Sequence, residues 1–195
     1  MYDVSNVLTL VEKSGEKKVN RILSTFISEN KEVENFVKKY AIDFAKRKWS
    51  ITYLVSDSDT KKLLGIFTLA NKAVQIKDIS VLSNRITNKI RQFAIGNSTG
   101  LDQKVYISTA YLLAQFGKNN KYSNLITGED LLQEALSKLY EIQFSVGGKL
   151  LWLECEDDNE KALNFYKREN YGFMKFATRK NFLDGKNYIQ MIKGL

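Results

Sequence analysis

Ala114-Gln115-Phe116-Gly117-Lys118-Asn119-Asn120-Lys121-Tyr122-Ser123-Asn124-Leu125-Ile126-Thr127-Gly128-Glu129-Asp130-Leu131-Leu132 decides the fold of this 195-residue chain. It leaves an apolar run at 105–116, crosses a polar turn and enters a helical pattern at 128–144. In that pattern Leu131, Leu132, Ala135, Leu136, Leu139 and Ile142 share one side. The apolar run reads as the longest strand and, being apolar on both faces, as a central one. A helix that opens just after a strand has first amides without internal partners, and these point outward as an anion site. The backbone amides from Asn124 to Glu129 are the candidate donors. Lys118 and Lys121 either add charge to them or are solvated loop lysines.

A second unit of the same kind follows. The run 149–156 reads as a strand and 159–169 as a helix, with Gly147-Gly148 ending the helix before it. Residues 173–178 and 188–192 read as two closing strands around an Asp184-Gly185 turn. Upstream, Val19, Ile22, Leu23, Phe26 and Ile27 give 17–28 a helical spacing. Asn30 caps a second helix, whose stripe of Val33, Phe36, Val37, Tyr40, Ala41 and Phe44 continues to about Arg47. A strand at 51–56, a turn at Asp57-Ser58-Asp59 and a hairpin partner at 63–70 come next, with 74–76 as an extension. Residues 83–93 are helical, and the glycine-rich, polar stretch 96–103 reads as a loop. Helices and strands in this order make an α/β fold with a mixed sheet.

Composition narrows the function classes. The 44% hydrophobic and 12% aromatic content belongs to a folded protein. No apolar run reaches the roughly 20 residues that span a bilayer, and no secretory start is visible, so a cytoplasmic protein without a membrane is expected. One cysteine cannot form an internal disulfide. No histidine is present, which removes Ser-His and Cys-His nucleophile pairs and most zinc sites, and no metal site is expected. Thirty basic against 22 acidic residues leave a net charge of +8, which favours an anionic partner such as a nucleotide cofactor or a nucleic acid.

The two strand–helix units together resemble those of the GNAT superfamily of acetyl-CoA-dependent N-acetyltransferases. The resemblance covers about 51–195, and the N-terminal helices are also familiar from such proteins. In the family a Gln/Arg-x-x-Gly-x-Gly/Ala signature follows the central strand. Here Asn119 stands at the acidic strand end, Ser123 at the Gln/Arg, Ile126 at the first glycine and Gly128 at the last. Ile126 in place of glycine restricts the loop backbone. The second segment, Asn159-x-x-Ala162-x-x-Phe165-Tyr166, matches Asn-x-x-Ala-x-x-x-Tyr. The family's closing Gly-Phe comes late, as Gly172-Phe173, so either the loop is longer or Asn170-Tyr171 replaces the pair, with Asn170 left-handed.

The resemblance implies a single GNAT-like domain over 1–195, with a helical part at 1–48 and a mixed, mostly antiparallel sheet core at 49–195. It implies attack of an amine on the thioester of acetyl-CoA within a ternary complex. The cofactor would be held by Phe116, Gly117, Lys118, Ser123, Asn124, Leu125, Ile126, Thr127, Gly128, Glu129 and Asn159. The backbone at Phe116-Gly117-Lys118 would splay from the sheet and offer an amide to the oxyanion, although Gly117 also reads as a strand terminator. Asn159 most simply caps its helix. Tyr166 is the candidate general acid to the sulfur, against a reading as a core tyrosine. No base is evident, and Glu154, Glu156 and Asp157 are candidates through water. Cys155 reads as a small core residue. A missing base suits α-amines, with a pKa of about 8, better than lysines at about 10.4.

Charged tRNA, a protein amine or a small amine are the expected acceptors, and a homodimer is an expected state. Tyr53-Leu54-Val55 and Gly65-Ile66-Phe67-Thr68-Leu69-Ala70 look like the layout of GNAT toxins that acetylate aminoacyl-tRNA. The alternatives are an inactive GNAT-fold module that binds CoA or nucleic acid, and a nucleic-acid-binding protein with no cofactor.

Overall fold

A computed structural model describes residues 1–99, 103–182 and 185–195. They form two compact units, Met1–Ala70 with Leu113–Gly147, and Asn71–Leu112 with Gly148–Leu195. In both, the registered strand pairs are antiparallel.

In the first unit the strand order is β1 (Tyr2–Asn6), β2 (Ile51–Asp57), β3 (Leu63–Ile76) and β5 (Gln103–Lys118), the last two shared with the second unit. Strand β1 was not anticipated. Its sequence is polar and its burial intermediate throughout, so pairing with β2, from Tyr2 opposite Asp57 to Asn6 opposite Tyr53, is what makes it a strand. Four short helices follow from the N-terminal half instead of two: α1 (Val7–Ser14), α2 (Glu16–Ser24), α3 (Lys31–Lys39) and α4 (Ala41–Lys46). The expected helix over 17–28 stops at Ser24, and the Thr25 hydroxyl turns back to donate to the Ile22 carbonyl. Asn30 is the cap expected of it, accepting from the Glu32 and Val33 amides. The four helices bury Val7, Val19, Leu23, Val33, Val37 and Ala45, and the turn after α2 adds Phe26, against Leu54, Leu63 and Ile66 of the sheet. Burial on this scale, at about 25 cal/mol per Å² of apolar surface, holds these short helices in place.

Helix α6 (Gly128–Val146) buries Leu131, Leu132, Ala135, Leu136 and Leu139. Gly65 lets it approach β3, since a Cβ there would stand 2.9 Å from Leu131 Cδ1. The strand pair itself is locked by the buried Thr52–Thr68 hydroxyl contact at 2.9 Å and by Tyr53 stacked on Phe67 at 5.0 Å.

In the second unit the order is β3, β5, β6 (Leu150–Glu156), β8 (Asn187–Gly194), β7 (Met174–Lys180), with β4 (Ile95–Thr99) on β5. The expected loop over 96–103 is therefore partly strand. Ile95 pairs with Ile107 and Thr99 with Gln103, while 100–102 lie outside the described residues. Sheet pairing overrides a composition that favours turns. Strand β5 is also less uniformly apolar than expected. Near its start exposure alternates, with Val105 and Ser108 buried and Ile107 and Thr109 exposed, and only Ala110 to Leu113 are buried on both faces. Helix α5 (Asn84–Phe93) is capped by Ser83, and α7 (Glu160–Tyr166) is shorter than the expected helix over 159–169. Gly172, not Asn170, takes the left-handed conformation after α7, with φ of 67°, so the longer-loop reading holds. Asp184 of the closing turn lies outside the described residues, and Gly185 has φ of 73°.

Candidate functional site

The first unit carries the whole of the expected cofactor loop. Strand β5 runs on to Lys118, so Gly117 does not terminate it. Gly117 instead permits close packing: a Cβ there would lie 3.3 Å from Val33 and 3.6 Å from Phe26. On the β3 side the segment stays paired, since the Asn119 amide donates to the Leu64 carbonyl at 2.7 Å.

Asn119 is the hub of the turn and is fully buried. Its side-chain amide donates to the Leu63 carbonyl at 2.8 Å and to the Thr25 carbonyl at 3.4 Å. Its oxygen accepts from the Ile27 and Lys121 amides, each at 3.2 Å. A carboxylate at this strand end, as the family pattern would have, could accept but not donate. Asparagine does both and ties β3, the α2–α3 turn and the loop together.

Beyond it the chain makes a turn of 3-10 helix at Asn120–Tyr122 and reaches α6 through Ser123, Asn124, Leu125, Ile126 and Thr127. Lys118 crosses the loop, its ammonium donating to the carbonyls of Ser123 at 3.2 Å and Ile126 at 3.3 Å. It is thus neither idle nor merely a diffuse charge. Ile126 is 2% exposed and has no positive φ, which explains how the signature's first glycine can be replaced. The backbone there needs no left-handed turn, and the side chain anchors the loop in the core.

Two of the expected amides are already engaged. That of Leu125 donates to Tyr122, and that of Thr127 to Asp130 Oδ2 at 2.9 Å. Thr127 Oγ1 in return accepts from the Asp130 amide at 3.0 Å, completing a capping box. Bonds from the Thr127 hydroxyl and amide, with help from Tyr2, hold the Asp130 carboxyl below its usual range. The amides of Asn124, Ile126 and Gly128 make no hydrogen bond among the described residues. Ser123, Asn124, Leu125 and Glu129 are exposed, and Phe116, Gly117 and Gly128 half-buried. Lys121 stands 5.6 Å from the Tyr122 ring centre.

The second unit carries the rest. Asn159 caps α7, its side chain accepting from the Ala162 amide at 3.0 Å. Tyr166, at the last turn of α7, is 6% exposed and lies edge-on to Phe165 at 5.2 Å and Phe173 at 5.6 Å. Burial, reinforced by the Cys155 thiol, pushes its phenol well above the usual tyrosine value. Tyr171, tilted on Phe165 at 5.0 Å, has a buried hydroxyl with no hydrogen-bond partner among the described residues, as does the indole nitrogen of Trp152.

The carboxylates at the end of β6 are committed to ion pairs. Arg179 clasps Glu154 through two nitrogens, each at 2.9 Å, and Gln190 adds a bond at 2.7 Å. Burial raises the Glu154 carboxyl, but these partners outweigh it and hold it low, which weakens it as a base. Glu156 pairs with Lys186 at 2.9 Å. Cys155 is buried, and desolvation, then the Glu154 charge, pushes its thiol up to about 12. It is a core residue, as expected from a chain without histidine. Among the described residues no helix is long and apolar enough to cross a membrane.

No protein-family model matches the chain, and no curated protein matches it. Solved structures do. One is described as a bacterial toxin, at a TM-score of 0.65 and 18% identity over 100% of this chain and 90% of that one. Another is AtaT complexed with acetyl-methionyl-tRNAfMet, at 0.63 and 16% over 97% and 94%. A third is AtaTR bound with acetyl-CoA, at 0.58 and 14% over 99% and 92%. What the chain shares with these structures is the fold, a mostly antiparallel sheet flanked by helices.

Proposed function

We propose that this protein is an acetyl-CoA-dependent N-acetyltransferase. The observation that carries the reading is the junction of β5 and α6. There Lys118 gathers the carbonyls of Ser123 and Ile126, while the amides of Asn124, Ile126 and Gly128 stay uncommitted at a helix start. Such a start favours a diphosphate through both its amides and its dipole. The fold is shared with AtaTR, whose structure holds acetyl-CoA.

The amine nitrogen attacks the thioester carbonyl carbon, the carbon–sulfur bond breaks, and the thiolate leaves with a proton. We assign that proton to Tyr166, whose phenol stays protonated at neutral pH because burial raises it. The displaced ammonium proton passes to solvent, since Glu154 and Glu156 are held in ion pairs. An α-amine, at a pKa of about 8, fits this lack of a strong base. The acceptor we infer is the aminoacyl end of tRNA. Its support is the net charge of +8 and the likeness to AtaT in complex with acetyl-methionyl-tRNAfMet.

Calorimetry with acetyl-CoA, then release of free thiol with charged tRNA as acceptor, tests the reading. Saturable binding and acceptor-dependent thiol release are expected. Binding without release from any amine would leave an inactive cofactor-binding module, and no binding would end the enzyme reading.

A further inference from the structure

We infer that the first unit holds a second anion site, a cationic cleft that takes the phosphodiester backbone of the RNA acceptor and not the cofactor. The inference rests on the tRNA reading above for the identity of its ligand. The cleft has a volume of about 310 Å³ and lies between α2, the turn joining β2 to β3, and the Tyr122 turn. Lys18 and Arg21 line it from α2, Thr60, Lys61 and Lys62 from the turn, and Tyr122 closes it. No carboxylate is among its walls.

The nearby acids are already occupied. Asp57 accepts from the Thr60 amide and hydroxyl, both at 2.7 Å, and Asp3 pairs with Lys61 at 2.7 Å. Lys18, Arg21 and Lys62 are exposed and make no ion pair among the described residues. Lys62 lies 5.3 Å from the Tyr122 ring centre. Three unpaired cations converging on one concavity repel one another, and an anion relieves that repulsion.

The turn shows a second sign of purpose. Lys61 has φ of 57°, a left-handed conformation that glycine or asparagine adopts at less strain. That conformation puts Lys61, paired with Asp3, and Lys62, which makes no ion pair among the described residues, in succession along the wall of the cleft. The cleft's walls include none of the loop from Ser123 to Glu129, so its ligand is not the diphosphate assigned to the α6 amides. A nucleic-acid backbone matches it better than an acidic peptide, because its charges recur along one strand at a spacing of a few ångströms.

Titration of a fluorescein-labelled single-stranded RNA across a salt series tests the site in the full chain, without acetyl-CoA. Lys18→Gln/Arg21→Gln/Lys62→Gln should weaken RNA binding about 10- to 100-fold at physiological salt and flatten the salt slope by roughly 0.7 per lost contact. Acetyl-CoA affinity, read by calorimetry on the same variant, should not move. The charge-keeping Lys18→Arg/Arg21→Lys/Lys62→Arg should retain RNA affinity, which separates lost charge from lost folding. Unchanged RNA binding in the neutral variant would overturn the site. So would a parallel loss of acetyl-CoA affinity, a free nucleotide that binds as tightly as RNA, or an acidic peptide that binds in its place. Failure of acetyl transfer alone sinks the enzyme reading and leaves this measurement standing.

Discussion

The junction of β5 with α6 and the junction of β6 with α7 share a layout, yet the chain uses them differently. The first is built from polar backbone contacts: Asn119 ties three segments, Lys118 collects two carbonyls, and Thr127 with Asp130 caps the helix. Its motif agreement was the weaker, with only Gly128 matching at the three signature positions. The second matches its motif at Asn159, Ala162 and Tyr166, and it buries that tyrosine among Phe165, Phe173 and Cys155. A poor motif match can thus go with a helix start whose amides stay open, because backbone amides point outward whatever side chains they carry. A good match, for its part, leaves a tyrosine's role open until its surroundings are known.

The largest effect expected is at Tyr166. Tyr166→Phe removes only the hydroxyl, so it should lower kcat by about 10²- to 10⁴-fold, the range of a lost general acid. Acetyl-CoA affinity should remain unchanged by calorimetry. A variant with wild-type turnover would make Tyr166 a core residue alone and move the search for a donor to another hydroxyl of that unit. Tyr171, with its buried and unpartnered hydroxyl, would then be the first to replace.

Next come the residues that hold the first junction. Asn119→Ala leaves the Leu63 carbonyl and the Ile27 and Lys121 amides short of partners, and should cost about 3 kcal/mol in urea unfolding. For a chain of this size that is a fall of roughly 6–12 °C in Tm. Ile126→Gly places a glycine where the resembled signature has one, and on motif grounds alone it would improve cofactor binding. Here it should do the reverse. Loss of a buried anchor costs about 2–4 kcal/mol and frees the loop that Lys118 holds. Calorimetry that shows tighter acetyl-CoA binding in this variant would reverse the reading of the first junction.

These residues also show where sequence was readable. The regular pattern of α6, the caps at Asn30 and Asn159, and the β2–β3 hairpin all follow from local spacing. Strands β1 and β4 do not, since Tyr2–Asn6 becomes a strand only through partners in β2, from Asp57 to Tyr53, and Ile95–Thr99 only through pairing with β5. The same division runs through the site. Gly128 and Tyr166 stand at motif positions that local spacing shows. Spacing does not show the role of Asn119, because its partner Ile27 is 92 positions distant. The ion pairs of Glu154 and Glu156 depend on β7 and on Lys186 in the same way.

A smaller effect separates the two caps. Asn159→Ala removes a single accepted bond and should cost about 1 kcal/mol, with turnover reduced only as far as α7 frays. Thr127→Ala should cost a similar amount, but it also releases the Asp130 carboxylate beside the free amides, so its acetyl-CoA affinity should fall where that of Asn159→Ala does not. Equal cofactor loss in both variants would show that the caps act alike and that the first junction has no special claim to the anion.

The smallest response is expected of Cys155, and its absence is the informative result. Its thiol is pushed from 9.0 up to about 12, chiefly by burial, so almost no thiolate exists near neutral pH. Iodoacetamide at pH 8 should leave the folded chain unlabelled over a time that fully alkylates it in urea. The sign of the pH dependence follows from the same shift. A folded-state value above the unfolded one adds stability that is complete below pH 9 and is lost as pH rises from there through about 12. Tyr166, raised by the same burial, pulls the same way above pH 10. Unfolding free energy should thus stay level on account of these two groups between pH 7 and 9 and decline beyond. Rapid alkylation of the folded chain at pH 8 would show that this pocket admits water, and a phenol beside a wet thiol would no longer be held well above its ordinary value.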